Sequence, residues 1–125
     1  MSENKKILLV EDDAFIRDIY QTKFKQEGFE IDLAENGMEA LKKLETTLPD
    51  IILLDIVMPY MDGMEFLNRR SEHEDWSKIP VILLTNISEK DKVNEAMEYG
   101  VREYLIKSHF TPSEVVEKVR TLLGM

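Results

Sequence analysis

Short apolar runs recur along the chain: Ile7-Leu8-Leu9-Val10, Ile31 to Leu33, Ile51-Ile52-Leu53-Leu54, Val81-Ile82-Leu83-Leu84 and Tyr104-Leu105-Ile106. Three of them are apolar throughout, as expected of strands covered on both faces in a parallel sheet. Between the runs the apolar residues take helical spacing. Leu41, Leu44 and Leu48 follow Met38, and Val115, Val116, Val119, Leu122 and Leu123 lie near the end. The pattern predicts a strand followed by a helix, five times over.

Polar residues at the boundaries agree. A side-chain acceptor at the N-cap with Glu three residues on satisfies two backbone donors that a helix start leaves unpaired, and Asn36…Glu39, Asp62…Glu65 and Thr111…Glu114 fit that spacing. Pro112 stands at the first position of the last helix and Gly124 just past its final apolar pair. Alternating strands and helices imply right-handed crossovers and a doubly wound α/β fold, a parallel sheet with helices on both faces. In such a sheet the ligand crevice lies at the carboxyl ends of the strands.

Composition narrows the picture. A chain of 125 residues matches one domain, here residues 1–125, able to bury roughly two-thirds of the surface its unfolded form exposes. A formal charge of −9 argues against direct contact with nucleic acid or an anionic membrane, both of which need clustered Lys and Arg. With no cysteine there is no disulfide, thiolate zinc site or cysteine nucleophile. The polar start, Met1 to Lys6, and the short apolar run after it do not make a signal peptide or a membrane span, so a cytoplasmic location is expected.

The strand ends carry the chemistry. Glu11-Asp12-Asp13 follows the first run, Asp55 the third, Thr85 ends the fourth and Lys107 follows the fifth. Carboxylates gathered on one edge repel one another and raise their pKa values unless a cation is bound. Oxygen donors without Cys or a suitably placed His favour a hard ion, and a site that keeps several waters and a phosphate oxygen suits Mg²⁺. Acidic residues after strands also serve as plain helix N-caps, and Asp13 is expected to do so.

Leu9-Val10-Glu11-Asp12-Asp13, Leu53-Leu54-Asp55-Ile56-Val57-Met58-Pro59-Tyr60-Met61-Asp62-Gly63, Leu83-Leu84-Thr85 and Tyr104-Leu105-Ile106-Lys107 together resemble the motifs of the response-regulator receiver domains of two-component signalling. The resemblance spans almost the whole chain. It implies a flavodoxin-like (βα)5 sandwich with strand order 2-1-3-4-5. It implies that Asp55 accepts a phosphoryl group from a sensor histidine kinase or a histidine phosphotransfer protein. Glu11, Asp12, Asp55 and the backbone carbonyl of Val57 would hold Mg²⁺, and Lys107 would contact a phosphoryl oxygen. Thr85 and Tyr104 match the switch pair: after phosphorylation the hydroxyl moves to the phosphoryl group and the ring turns inward, repacking the last helices and strand for a downstream effector protein. Such a chain catalyses only its own phosphorylation and dephosphorylation. It acts as a monomer or a phosphorylation-dependent homodimer, and is either a single-domain regulator or a receiver piece of a longer one.

Pro59 and Gly63 are expected to shape the loop beside Asp55, with Trp76 packed over a loop and His73 and His109 on the surface. Five positions set this chain apart within the family's pattern. Ser108 follows Lys107 where receivers have a proline joined by a cis peptide. Cis before serine costs roughly 2.5–4 kcal/mol, so this loop strains or becomes trans. Asn86 replaces a small residue after Thr85 and could narrow access to Asp55 or hydrogen-bond the phosphoryl group. Val57 and Ile87, aliphatic beside the expected path of hydrolytic water, imply a long-lived phosphorylated state. Arg102 stands where one DNA-binding subfamily has an acidic residue for dimer salt bridges, although Asp91, Lys92, Glu103, Lys118 and Arg120 still offer opposite charges there.

Competing functions fit less well. An aspartyl-nucleophile phosphatase needs a second Asp two residues after the first, and Val57 occupies that place. A flavin module needs an anion cradle where Glu11-Asp12-Asp13 stands. A degenerate receiver is disfavoured because every expected site residue is present.

Overall fold

Strand β1 (Lys6–Val10) lies in the middle of the first half of the sheet, with β2 (Glu30–Ala34) on one side and β3 (Ile51–Leu54) on the other, and β4 (Val81–Thr85) and β5 (Glu103–Ile106) extend the far edge. All pairings are parallel and the order is β2-β1-β3-β4-β5, as the resemblance implies. The computed structural model describes residues 4–87 and 89–125, so the first residues of the polar start, 1–3, lie outside the described residues.

The wholly apolar runs are explained by two cores. Successive side chains of a strand point to opposite faces. Leu8, Val10, Ile52, Leu54, Val81 and Leu83 therefore pack on one side against α2 (Gly37–Thr46), α3 (Gly63–Ser71) and α5 (Lys90–Glu98), through Ala40, Leu44, Phe66, Leu67 and Ala96. Ile7, Leu9, Ile51, Leu53, Ile82 and Leu84 pack on the other side against α1 (Ala14–Gln26) and α6 (Pro112–Leu122), through Tyr20, Phe24, Val115, Val116 and Val119.

The caps fall where the sequence places them. Asp13 Oδ1 accepts from the N–H groups of Phe15 and Ile16 at 2.8 and 3.1 Å, and Asn36 and Asp62 cap α2 and α3. At Thr111 both halves of the reciprocal cap form, Thr111 N–H to Glu114 at 2.9 Å and Glu114 N–H to Thr111 Oγ1 at 3.2 Å.

Three expectations need correction. The second helix ends at Thr46 and leaves Leu48 outside it and exposed, because Leu48 precedes Pro49 and a pre-proline residue disfavours helical geometry; Met38, in the helix's first turn, is exposed as well, and the buried stripe is Gly37, Ala40 and Leu44. The acidic stretch forms an extra short helix, α4 (Glu74–Ser77), giving six helices in place of five. Trp76 does pack over this connection, stacked on the exposed His73 ring at 4.1 Å and against the α3-side core. Finally, Arg120, expected among the charges on the face of the last two helices, lies in α6 but pairs with Glu27 at the end of α1 at 2.8 Å and with Glu117 at 2.9 Å.

Arg70 is a buried charge that the sequence does not announce, since arginine in α3 reads as a solvated residue. It is 2% exposed and meets no carboxylate. Its guanidinium instead donates to the carbonyls of Ser77 (3.0 Å), Ile79 (2.6 Å) and Tyr99 (3.2 Å), at the ends of α4 and α5 and just before β4 and β5. The Ser77 and Tyr99 carbonyls stand at helix ends, where the last carbonyls lack intrahelical donors, and the Ile79 carbonyl lies in the connection to β4. Arg70→Met keeps the apolar stem but strands the acceptors, so we expect a loss of about 1–3 kcal/mol. Urea unfolding should give a lower midpoint at unchanged slope, and an unchanged midpoint would show that the carbonyls find other donors.

Candidate functional site

Four strands deliver the predicted residues to one edge. Glu11 follows β1, Asp55 follows β3, Thr85 ends β4 and Lys107 follows β5. They line a cleft of about 430 Å³ together with Asp12, Val57, Asn86 and Ile87. Glu11, Asp55 and Thr85 are buried, whereas Asp12 is exposed. One carboxylate oxygen from each of Glu11, Asp12 and Asp55 lies within 4.8 Å of the others. The donor set is all carboxylate oxygen, which fits a hard divalent cation.

Lys107 bridges the buried pair. Its ammonium donates to Glu11 Oε1 and, at 2.8 Å, to Asp55 Oδ2. The remaining oxygens are also held: Asp55 Oδ1 accepts from the Ile56 N–H at 2.7 Å and Glu11 Oε2 from the Asp13 N–H at 3.1 Å. Burial holds the Glu11 pKa above the ordinary carboxylate value, a rise that Lys107 and the Asp13 N–H reduce without cancelling. Burial alone would lower the Lys107 pKa, but Asp55 and Glu11 outweigh it and the ammonium is held charged above its ordinary range.

The loop after β3 approaches α3 so closely that only glycine fits at the helix start. A Cβ on Gly63 would come within 2.8 Å of the Ile56 Cα, and the Gly63 N–H donates to the Ile56 carbonyl at 2.8 Å. Gly63 thus shapes the loop beside Asp55 as expected. In the same loop Tyr60 is held at φ 66°, a left-handed conformation costly for a bulky residue, and its ring is 90% exposed.

Thr85 and Tyr104 are the two residues expected to form a switch pair. The Thr85 hydroxyl accepts from the Ile87 N–H at 3.4 Å. Tyr104 differs: its ring already packs against the α3-side core, with the hydroxyl enclosed and unpartnered and its pKa raised by burial and by Asp55. The Lys107–Ser108 peptide is trans, and the Ser108 N–H donates to Asn86 Oδ1 at 3.2 Å. Arg17 is a residue that sequence reasoning missed. From α1 it donates to the Glu11 carbonyl at 2.8 Å and to Glu35 at 3.2 Å, pinning the backbone of the acidic pair. Its only signal in the sequence is a position four residues past the Asp13 cap, which carries no information about a partner on β2's far side.

With this geometry in view, the comparisons are decisive. Residues 7–120 match the family described as the response regulator receiver domain. The chain belongs to this family. It is 37% identical over 121 residues to the alkaline phosphatase synthesis transcriptional regulatory protein PhoP of Bacillus subtilis, covering 96% of this chain and 49% of that protein. The chain thus spans about half the length of that curated relative. Among solved structures, the CheY-like receiver domain protein of Methanospirillum hungatei superposes with a TM-score of 0.90 at 28% identity, covering 98% of this chain and 95% of that one. The phosphorylated cyanobacterial phytochrome response regulator RcpA gives a TM-score of 0.83 at 28% identity (96% and 91% covered). The Mn²⁺-bound response regulator Rcp1 gives 0.82 at 30% identity (94% and 92% covered).

The buried carboxylate of this receiver domain makes a pH prediction. Because the Glu11 pKa is raised by folding, the native state keeps a proton that the unfolded chain has lost, so the contribution of Glu11 is full below the ordinary value of 4.5 and falls as pH rises through the folded pKa. In chelator, urea midpoints of the parent should decline over that window, and Glu11→Gln should flatten the decline. Parallel curves would rule out Glu11 as the source.

Proposed function

We propose that this receiver domain is switched by phosphorylation of Asp55, with a sensor histidine kinase or histidine phosphotransfer protein as donor. The observation that carries the reading is the buried Asp55 carboxylate, held at 2.8 Å by Lys107 and grouped with Glu11 and Asp12 at the mouth of one cleft. An Asp55 oxygen attacks phosphorus while the P–N bond of the phosphohistidine breaks, its electron pair going to the ring nitrogen of the donor imidazole, which takes up a proton from solvent. Lys107 then exchanges its Asp55 contact for a phosphoryl oxygen, keeping its charge opposite the developing negative charge.

Glu11, Asp12, Asp55 and the Val57 carbonyl would hold Mg²⁺, which when bound neutralises charge on the transferring group. The all-oxygen donor set supports this, as does the Mn²⁺-bound Rcp1 among the similar structures. Thr85 sits at the end of β4 within reach of the same cleft, and Tyr104 flanks it on β5, so the pair is suited to relay the change to α5, β5 and α6. Three exposed apolar residues, Phe15 (74% exposed) in the first turn of α1 and Val57 (61%) and Tyr60 (90%) in the loop after β3, would suit docking of a phosphodonor protein over Asp55. A downstream effector protein would bind the α5-β5-α6 face, in a monomer or a phosphorylation-dependent homodimer. No helix among the described residues is long and apolar enough to cross a membrane, in keeping with a cytoplasmic role.

Incubation with Mg²⁺ and acetyl phosphate should add one phosphoryl mass to the parent and none to Asp55→Asn, as read by intact-mass spectrometry. An adduct that persists in the variant, or one that forms equally in chelator, would overturn the assignment. Once formed, the adduct should decay more slowly in the parent than in a Val57→Asn, Ile87→Glu variant. Both positions line the cleft, and polar side chains there would orient attacking water. Equal decay would remove these residues from control of the lifetime.

A further inference from the structure

Resting on the receiver reading, we infer that Asn86 is a positioning residue that sets Lys107 through the backbone of Ser108. The segment carrying Lys107 leaves β5 as a single turn of 3-10 helix, Lys107–His109, closed by Phe110, which packs against the α6-side core; within the turn Ser108 and His109 are exposed and Lys107 is held by the site carboxylates. Among the described residues, the side-chain hydrogen bond that ties this turn to the end of β4 is the Ser108 N–H donating to Asn86 Oδ1 at 3.2 Å. Asn86 directly follows Thr85, so one side chain joins the two loops that bear the hydroxyl and the ammonium.

The chemistry of the pair is specific. A backbone N–H can only donate, so the Asn86 amide must present its oxygen to Ser108 and turn its NH₂ away, which orients a side chain lining the same cleft as Asp55. The bond also requires a non-proline residue after Lys107, because proline has no N–H to give. Asn86 and Ser108 are thus two departures from the family's pattern that answer each other. A trans peptide at Ser108 exposes a donor, and the larger residue after Thr85 supplies its acceptor. Lys107 bridges Glu11 and Asp55 from the residue immediately before the tether, so loosening the tether broadens the ammonium's position over the acceptor carboxylate. Loss of positioning, not of charge, is the predicted defect.

The test uses the whole chain and two readouts. In Asn86→Ala the Ser108 amide should exchange with solvent about three- to tenfold faster, the range expected for one hydrogen bond of this kind. Asn86→Asp, which keeps an acceptor oxygen, should preserve the protection. Phosphoryl-adduct formation from acetyl phosphate and Mg²⁺ should slow by a similar factor in Asn86→Ala. It should slow equally when Asn86→Ala is placed in a Ser108→Ala background, which keeps the N–H, and not at all in a Ser108→Pro background, which lacks it. The inference fails if Ser108 exchange is unchanged in Asn86→Ala, or if Asn86→Ala slows the adduct as much in the Ser108→Pro background as in the parent. A parent that forms no adduct would sink the phosphorylation reading, while amide exchange still decides whether Asn86 holds Ser108.

Discussion

Lys107 holds Glu11 and Asp55 together at the carboxyl edge of the sheet, and the rest of the site depends on that bridge. Three carboxylates converge there, and two of them are buried. Buried like charges are costly unless paired and hydrogen-bonded. The protein meets the cost locally: one ammonium serves both buried groups, and backbone N–H groups of Ile56 and Asp13 take the remaining oxygens. Burial still holds the Glu11 pKa above its ordinary value. What suits the geometry to a divalent ion is the set of three converging carboxylate oxygens.

The scaffold was legible in the sequence because its signals are local. Apolar runs of four residues marked buried parallel strands, and polar residues at helix starts marked caps, so the positions of Glu11, Asp55, Thr85 and Lys107 on one edge followed from strand endings alone. What escaped was long-range pairing of polar groups. Arg70 and Arg17 look like solvated helix residues until the fold brings carbonyls from elsewhere to their guanidinium groups. Leu48 looked like a member of an apolar stripe because spacing alone does not register that Pro49 follows and the helix has ended at Thr46. Asn86 and Ser108 were visible as departures, but their pairing across 22 residues was not.

Strain and restraint are distributed unequally along the strands. At the amino ends of β4 and β5, Arg70 collects three carbonyls and fixes the ends of α4 and α5 against the sheet. At the carboxyl ends, Tyr60 occupies a left-handed conformation, the Tyr104 hydroxyl is enclosed with no partner among the described residues, and the backbone of Ser108 in the Lys107 turn is tied to the end of β4 by an exposed hydrogen bond. An unpaired buried hydroxyl costs about 1–3 kcal/mol, comparable to the energies that separate alternative loop conformations. On the proposed reading, a change of charge at Asp55 would be met by the end of the molecule where rearrangement costs least. The two cores and the Arg70 clamp hold the sheet and the far ends of the helices in place, so such a response would fall on the carboxyl-end loops and the faces of α5 and β5 that adjoin them.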